Sequence, residues 1–112
     1  MSHSPAFRME SFLDYLTFER GLSERTLSAY GRDLGRLFEF LESRGRLAPE
    51  AIEPSDLREF VFHLKDSGLA PSSIRRALSS LRSYFAFLLE EGVLEGDPSD
   101  RLEAPRGGLG AA

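Results

Sequence analysis

The chain has no cysteine, one lysine among its fourteen basic residues, and no long run of apolar residues. Without cysteine the protein can form neither a disulfide framework nor a thiolate metal site, which is consistent with a reducing cytoplasm. No apolar run reaches the length of a membrane span, and the chain does not open on a cationic segment followed by an apolar one. We therefore expect a cytoplasmic protein with no membrane contact, no cofactor and no metal ion.

Length and apolar content indicate one domain with its own core. The chain has 112 residues, of which 41% are hydrophobic and nine are phenylalanine, so it is too short for a two-domain enzyme. The net charge of −4 and the pI of about 5.2 argue against nucleic-acid binding, because stand-alone nucleic-acid domains are usually basic. The acids collect in residues 39–42, 50–59 and 90–103, however, which leaves room for a basic face elsewhere.

Four segments show the apolar spacing of a half-buried helix, and no segment shows the alternation of a strand. The predicted helices cover about residues 9–19, 24–44, 54–66 and 71–91. Ser23 is a suitable N-cap for the second helix, and Pro54 and Pro71 suit the first turns of the third and fourth. A turn is expected around Asp97, with a last piece of helix up to Leu102.

The two ends of the chain have the composition of flexible segments. Residues 1–8 are predicted to be a polar N-terminal arm, residues 9–102 the domain, and residues 103–112 a linker rich in glycine and alanine.

The second and fourth helices share an arginine- and serine-rich face opposite their apolar face. On the second helix this face carries Arg25, Ser28, Ala29, Arg32 and Arg36. On the fourth it carries Ser72, Arg75, Arg76, Ser79, Arg82 and Ser83. Residues 71–89 contain three arginines and no acid, whereas an ordinary solvated helix mixes both signs. Arginine and serine side chains commonly contact phosphates and base edges, so the pattern favours two DNA-binding helices.

Three other interpretations of these faces stay open. Each face could be an ordinary solvated surface. The acidic balance favours an all-α protein–protein interaction module without DNA binding. A helix-turn-helix regulator is a third alternative, although its recognition helix is usually shorter and follows its partner helix closely.

No residue pattern indicates catalysis. Tyr15, Tyr30 and Tyr84 lie at or beside apolar stripes, which predicts packing with the hydroxyl at the rim of the core. His63 has no partner at catalytic spacing, and the acidic pair on the third helix, Asp56 and Glu59, is expected to be solvated.

Two motifs resemble a known family. The first is Ser23–Tyr30 followed by Asp33-Leu34 and Phe38, and the second is Leu78–Leu88 with Gly92-Val93-Leu94 and Asp97-Pro98 behind it. Together they resemble the N-terminal core-binding domain of tyrosine site-specific recombinases, within that family the XerD and XerC branch, over residues 12–105. Ala70 departs from the pattern, because the family often has a Ser or Thr cap there.

The resemblance implies a four-helix, SAM-like orthogonal bundle whose second and fourth helices face the DNA major groove. With a C-terminal catalytic domain, absent here, it would form a clamp around double-stranded DNA. The implied role is half-site recognition in site-specific recombination and chromosome dimer resolution. Other recombinase protomers would be partners in a tetramer, while the isolated chain is expected to be a monomer.

The resemblance also implies that this chain is not an enzyme. The family's tyrosine nucleophile, two arginines and His-x-x-Arg segment belong to the catalytic domain, and His63 is followed by Leu64-Lys65-Asp66.

The predicted DNA contacts divide into charged and hydroxyl groups. The charged contacts are Arg25, Arg32, Arg75, Arg76 and Arg82. The hydroxyl contacts are Ser23, Thr26, Ser28, Ser72, Ser73 and Ser79. Leu81 lies at the centre of the apolar stripe of the fourth helix, and Arg76 lies on the opposite face. Arg76→Ala is therefore expected to cost less than about 0.5 kcal/mol of stability.

Overall fold

All regular structure in residues 3–103, the part that the computed structural model describes, is helical. The four α-helices are α1 (Met9–Phe18), α2 (Glu24–Ser43), α3 (Pro54–Asp66) and α4 (Pro71–Glu90), with 3-10 turns at Pro5–Phe7 and Pro49–Ala51. The prediction of an all-α fold is confirmed, and each predicted helix agrees with the observed one to within a residue at either end.

Local chemistry explains where the helices begin and end. The Ser23 hydroxyl accepts a hydrogen bond from the Thr26 N–H at 3.2 Å and so caps α2, as predicted. Pro54 opens α3, where the preceding Glu53 takes part in a capping box. Gly45 follows α2 with φ of 81°, a left-handed conformation that glycine adopts without strain.

The core forms where α2 packs against the other three helices and α3 packs on α4. Leu81, in the middle of the apolar stripe of α4, is buried, as predicted. Tyr84 is fully buried among aromatic rings, 5.2 Å from the Phe38 centroid and 5.7 Å from the Phe12 centroid. Its hydroxyl donates to the Phe7 carbonyl at 2.8 Å, so it lies inside the core and not at the rim as the sequence had suggested.

The N-terminal segment is not a flexible arm in the part described, which corrects the sequence prediction for residues 3–8. Phe7 is completely buried, and its ring stacks on Phe38 with centroids 4.4 Å apart. The Ser4 N–H donates to the Glu42 carboxylate at 2.7 Å and the Ser4 hydroxyl donates to the Leu47 carbonyl at 2.7 Å. A single buried phenylalanine in a polar segment has no periodicity, so the pattern could not indicate it.

The C-terminal segment lies against the bundle as a turn without further helix. Asp97 accepts hydrogen bonds from the N–H and the hydroxyl of Ser99, at 2.8 and 2.7 Å, and Leu102 is buried. Of the predicted linker only Glu103 falls in the described residues, and residues 104–112 lie outside them.

A buried carboxylate joins the end of α2 to the start of α3. Asp56 is fully buried and accepts from Arg44 Nε at 2.9 Å, Arg46 Nε at 3.0 Å and the Glu53 N–H at 2.8 Å. Burial raises the pKa of Asp56, but these hydrogen bonds outweigh it, and the pKa lies below its usual range. The expectation of a solvated Asp56–Glu59 pair is therefore wrong for Asp56, while Glu59 is exposed and pairs with Arg44.

Candidate nucleic-acid interface

The outer face of α2 carries exposed arginines. Arg25, Arg32 and Arg36 are all exposed, and Ser28 lies between them. Within residues 3–103 none of these three guanidinium groups forms an ion pair or a hydrogen bond with the protein. Their charge is therefore available to an anionic partner.

The outer face of α4 carries a similar strip. Ser72, Arg75, Ser79 and Arg82 follow one another at steps of three and four residues, and all four are exposed. Arg75 has no hydrogen-bond or ion-pair partner among the described residues. The strip has no acid until Glu90, at the last position of the helix.

A second buried carboxylate joins α2 to α4. Asp33 is 2% exposed and accepts from Arg76 Nε and Nη2, each at 2.9 Å, and from the Ser80 hydroxyl at 3.0 Å. The hydrogen bond to Asp33 is the main reason why the pKa of Arg76 lies above its usual value. Arg76 is thus held between the helices, which corrects the expectation that it contributes little to stability. Its side chain nevertheless stays 40% exposed.

This Asp33–Arg76–Ser80 cluster brings the two arginine faces together. Arg32 precedes Asp33 on α2, and Arg75 and Ser79 precede Arg76 and Ser80 on α4. We call the combined exposed area the basic surface; its members are Arg25, Ser28, Arg32, Arg36, Ser72, Arg75, Arg76, Ser79 and Arg82. The ion pair thus joins two helices that each carry exposed arginines next to it in sequence, Arg32 on α2 and Arg75 on α4.

The predicted hydroxyl contacts fall into two groups. Ser23 and Thr26 bond to each other, with the Ser23 hydroxyl donating to the Thr26 hydroxyl at 3.1 Å, so their first role is to cap α2. Ser28, Ser72 and Ser79 are exposed on the basic surface, while Ser73 is half-buried at the start of α4.

The first turn of α4 has no side-chain cap. Ala70 at the N-cap provides no hydrogen-bond acceptor, as the departure from the family pattern suggested, and no acid lies in the first turn. The N–H groups of Ser72 and Ser73 therefore have no partner within the helix, and the helix dipole favours an anion near them.

Arg82 has a structural contact in addition to its exposure. Its Nη2 donates to the Leu102 carbonyl at 2.5 Å, so it fixes the segment that follows α4 to the outer face of that helix. Of the five arginines predicted to contact DNA, Arg25, Arg32 and Arg75 are unpaired within the described residues, whereas Arg76 and Arg82 have partners.

Sequence reasoning missed two residues of the site, Asp33 and Ser80. Both lie among the apolar positions that face the core, and a buried polar group in such a stripe is the signal that could have found them. Arg36 is exposed on the same face of α2, although the contacts predicted from the sequence do not include it.

The tyrosines of the described region pack in or against the core, and both histidines lie against phenylalanine rings. Burial raises the pKa of Tyr84, whose hydroxyl is inaccessible, and Tyr15 and Tyr30 pack half-buried against the core. His63 lies against the Phe40 ring, with centroids 5.3 Å apart. Residues 3–103 contain no group of three or more His, Asp or Glu side chains suited to a metal ion. Over the same range, no helix has the length and apolar character needed to cross a bilayer.

Comparison with known proteins places the chain in a family. Residues 9–92 match the family described as phage integrase, N-terminal SAM-like domain. The chain is 45% identical over 102 residues to tyrosine recombinase XerD of Agrobacterium fabrum, which covers 91% of this chain and 30% of that protein. It is 37% identical to tyrosine recombinase XerD of Oceanobacillus iheyensis, covering 89% of this chain and 34% of the relative. It is 38% identical to tyrosine recombinase XerC of Chlorobaculum parvum, covering 88% and 31%.

The chain spans about a third of the length of these curated relatives. No solved structure matches it. The resemblance noted from the motifs of the second and fourth helices is confirmed, because the matched residues include both. The chain belongs to the family of phage integrase N-terminal SAM-like domains.

Proposed function

We propose that this chain binds double-stranded DNA through the basic surface, with α2 and α4 directed at the major groove. One observation carries the proposal. Arg25, Arg32, Arg36 and Arg75 are exposed on the two helices that the Asp33–Arg76 pair joins, and they have no acidic partner within residues 3–103, although the protein as a whole is acidic. Arg44 and Arg46, between α2 and α3, are instead paired with carboxylates, and Arg58 on α3 is a single exposed arginine without a partner in residues 3–103.

The chemistry of these groups suits a duplex. Each arginine that neutralises a phosphate releases condensed counterions, which drives association at low salt. The exposed hydroxyls of Ser28, Ser72 and Ser79 and the free N–H groups at the start of α4 can position the phosphate backbone. Because the net charge of −4 opposes approach to DNA, we expect the affinity of this chain to be weak and strongly salt-dependent.

Within a full-length recombinase, we infer that the domain forms the N-terminal half of a clamp around DNA. It would recognise a half-site in site-specific recombination, and in chromosome dimer resolution, while cleavage and rejoining would take place in the catalytic domain. Similarity to the XerD and XerC relatives supports this role. Contacts with other protomers would then assemble a tetramer, whereas this chain alone is expected to be monomeric.

A nuclear magnetic resonance titration with a duplex tests the DNA-binding proposal. Amide shifts on addition of a 20-base-pair duplex at low salt should be confined to α2, to α4 and to the segment before each. The result that contradicts the proposal is an absence of shifts, or shifts centred on α3. A control titration with an acidic peptide of equal charge separates DNA recognition from general attraction of anions.

Exposed apolar groups on α3 favour a second candidate function, that of a protein-interaction module. Phe62 is 65% exposed beside a groove of about 300 Å³. The groove is lined by Arg58, Val61, Phe62, Lys65, Arg101, Leu102 and Glu103. If duplex DNA leaves α2 and α4 unperturbed while Phe62→Ser abolishes capture of a protein partner, this alternative replaces the first.

A further inference from the structure

We infer that Asp33 is a positioning residue that presets Arg76 to read a guanine edge in the major groove, whereas the unpaired arginines around it bind phosphates. The inference rests on the proposed function and assigns different tasks to residues of the same surface. It depends on which edge of the Arg76 guanidinium group is occupied and on the balance of charge around it.

The contacts of Arg76 leave one edge of its guanidinium group free. Nε and Nη2 donate to Oδ2 and Oδ1 of Asp33, so the side edge of the group is filled. Nη1 has no acceptor within residues 3–103. One hydrogen of Nη1 and the second hydrogen of Nη2 form the end edge of the group, opposite its bond to the side chain. These end-on donors can form the parallel pair of hydrogen bonds that guanine O6 and N7 accept.

Asp33 is itself fixed, so it can hold Arg76 in one orientation. It is 2% exposed, and its Oδ2 also accepts from the Ser80 hydroxyl at 3.0 Å, while Ser80 is fully buried. A side chain that is already ordered loses less freedom on binding than the free arginines of the same surface. Arg76 is therefore preorganised, while its side chain as a whole stays 40% exposed.

The charge balance favours a base over a phosphate as the acceptor. The carboxylate of Asp33 lies 2.9 Å from the guanidinium group and offsets its charge, so Arg76 gains little from counterion release. Guanine O6 and N7 are neutral acceptors, so a hydrogen bond to them depends more on the direction of the donor N–H groups than on the charge of the donor. Arg75, adjacent in sequence and without a carboxylate partner, is better suited to a phosphate.

Selection from a randomised duplex library tests this assignment. The whole chain would be used at low salt, and dissociation constants would be measured for the enriched duplex and for a copy in which each G·C pair in turn becomes A·T. For the wild-type chain, replacement of one G·C pair should weaken binding on the order of tenfold. In Asp33→Asn and in Arg76→Lys that preference should fall below about twofold.

A matched variant separates positioning from charge. Glu39→Gln removes the same negative charge from the exposed face of the same helix and should keep the G·C preference. Asp33→Asn should bind a random duplex at least as tightly as the wild type, because it removes a negative charge. It should nevertheless lose the G·C preference. Arg76→Lys keeps the cation, so it supplies the test if Asp33→Asn does not fold.

The possible results distinguish a failure of this inference from a failure of the proposed function. A G·C preference retained by folded Asp33→Asn or by Arg76→Lys overturns it, as does a wild-type chain that binds duplexes without preferring any base pair. A wild-type chain that binds no duplex overturns the inference and the proposed function together.

Discussion

Two buried aspartates, each held by arginine and each joining α2 to another helix, lie in opposite electrostatic surroundings. Around Asp56 the charges balance, because Arg44 and Arg46 both pair with Asp56 and Arg44 also pairs with Glu59. Around Asp33 the ion pair with Arg76 is also neutral, but the neighbouring Arg32, Arg36 and Arg75 have no partner within residues 3–103.

We propose that this difference separates a structural ion cluster from a binding surface. A buried carboxylate must be paired to be tolerated, and both aspartates satisfy this condition with three hydrogen-bond donors each. Pairing alone therefore does not distinguish their roles. The unpaired charge around the cluster at Asp33 is the feature that indicates a partner with phosphates.

The largest effect is expected at the structural cluster. Asp56→Ala leaves two arginines without their common acceptor and removes the cap of α3, so it should cost about 3–5 kcal/mol of stability. Urea denaturation measures this loss, and DNA affinity of the folded fraction should remain unchanged. If Asp56→Ala lowers DNA affinity as much as loss of Arg75 does, the two clusters are not functionally distinct.

Arg76→Ala should be the next most damaging change, at about 1–3 kcal/mol, because it leaves Asp33 buried with the Ser80 hydroxyl as its remaining donor. This loss is smaller than at Asp56, since Arg76→Ala removes two hydrogen bonds and leaves the one from Ser80, whereas Asp56→Ala removes three. Thermal or chemical unfolding of the variant checks the value. A loss below about 0.5 kcal/mol is typical of an ordinary surface residue and would contradict a stabilising role for the Asp33–Arg76 pair.

Ser80→Ala should cost about 0.5–1.5 kcal/mol, because one hydrogen bond to Asp33 is lost while the ion pair with Arg76 is kept. Comparison of Ser80→Ala with Arg76→Ala, and with the double variant, measures the coupling within the cluster. Strictly additive losses would show that the three side chains do not act as one unit.

The pH dependence of stability tests the role of Asp56 in a further way. The pKa of Asp56 is lowered in the folded state, so its stabilising contribution is complete above the ordinary aspartate pKa of about 3.9 and is lost as the pH falls through the folded value. The pKa of Glu42 is lowered chiefly by the Ser4 N–H, and its contribution follows the same sign.

Denaturation between pH 6 and pH 2 should therefore show stability falling steadily below about pH 4. The Asp56→Asn variant should show a shallower fall over the same range. An identical slope in the wild type and the variant would contradict the role given to Asp56.

The helices could be predicted from the sequence because glycine and proline mark their ends and apolar periodicity marks their buried faces. The arginine faces could be predicted for the same reason, since helical periodicity also fixes what lies opposite the core. The pairing of Asp33 with Arg76 could not, because 43 residues separate the partners and nothing in the spacing of either helix specifies their contact. Phe7 was missed because one apolar residue outside a helix has no period to reveal it.

The salt dependence of DNA binding tests the central claim most directly. The slope of log affinity against log salt would be measured for the wild type, for Arg75→Gln on the basic surface and for Arg58→Gln on α3, two exposed arginines without partners in residues 3–103. Neither change should alter stability by more than about 0.5 kcal/mol. The account predicts that Arg75→Gln reduces the slope by about 0.9 while Arg58→Gln leaves it unchanged. Equal slopes for the two variants would contradict the assignment of the basic surface to DNA.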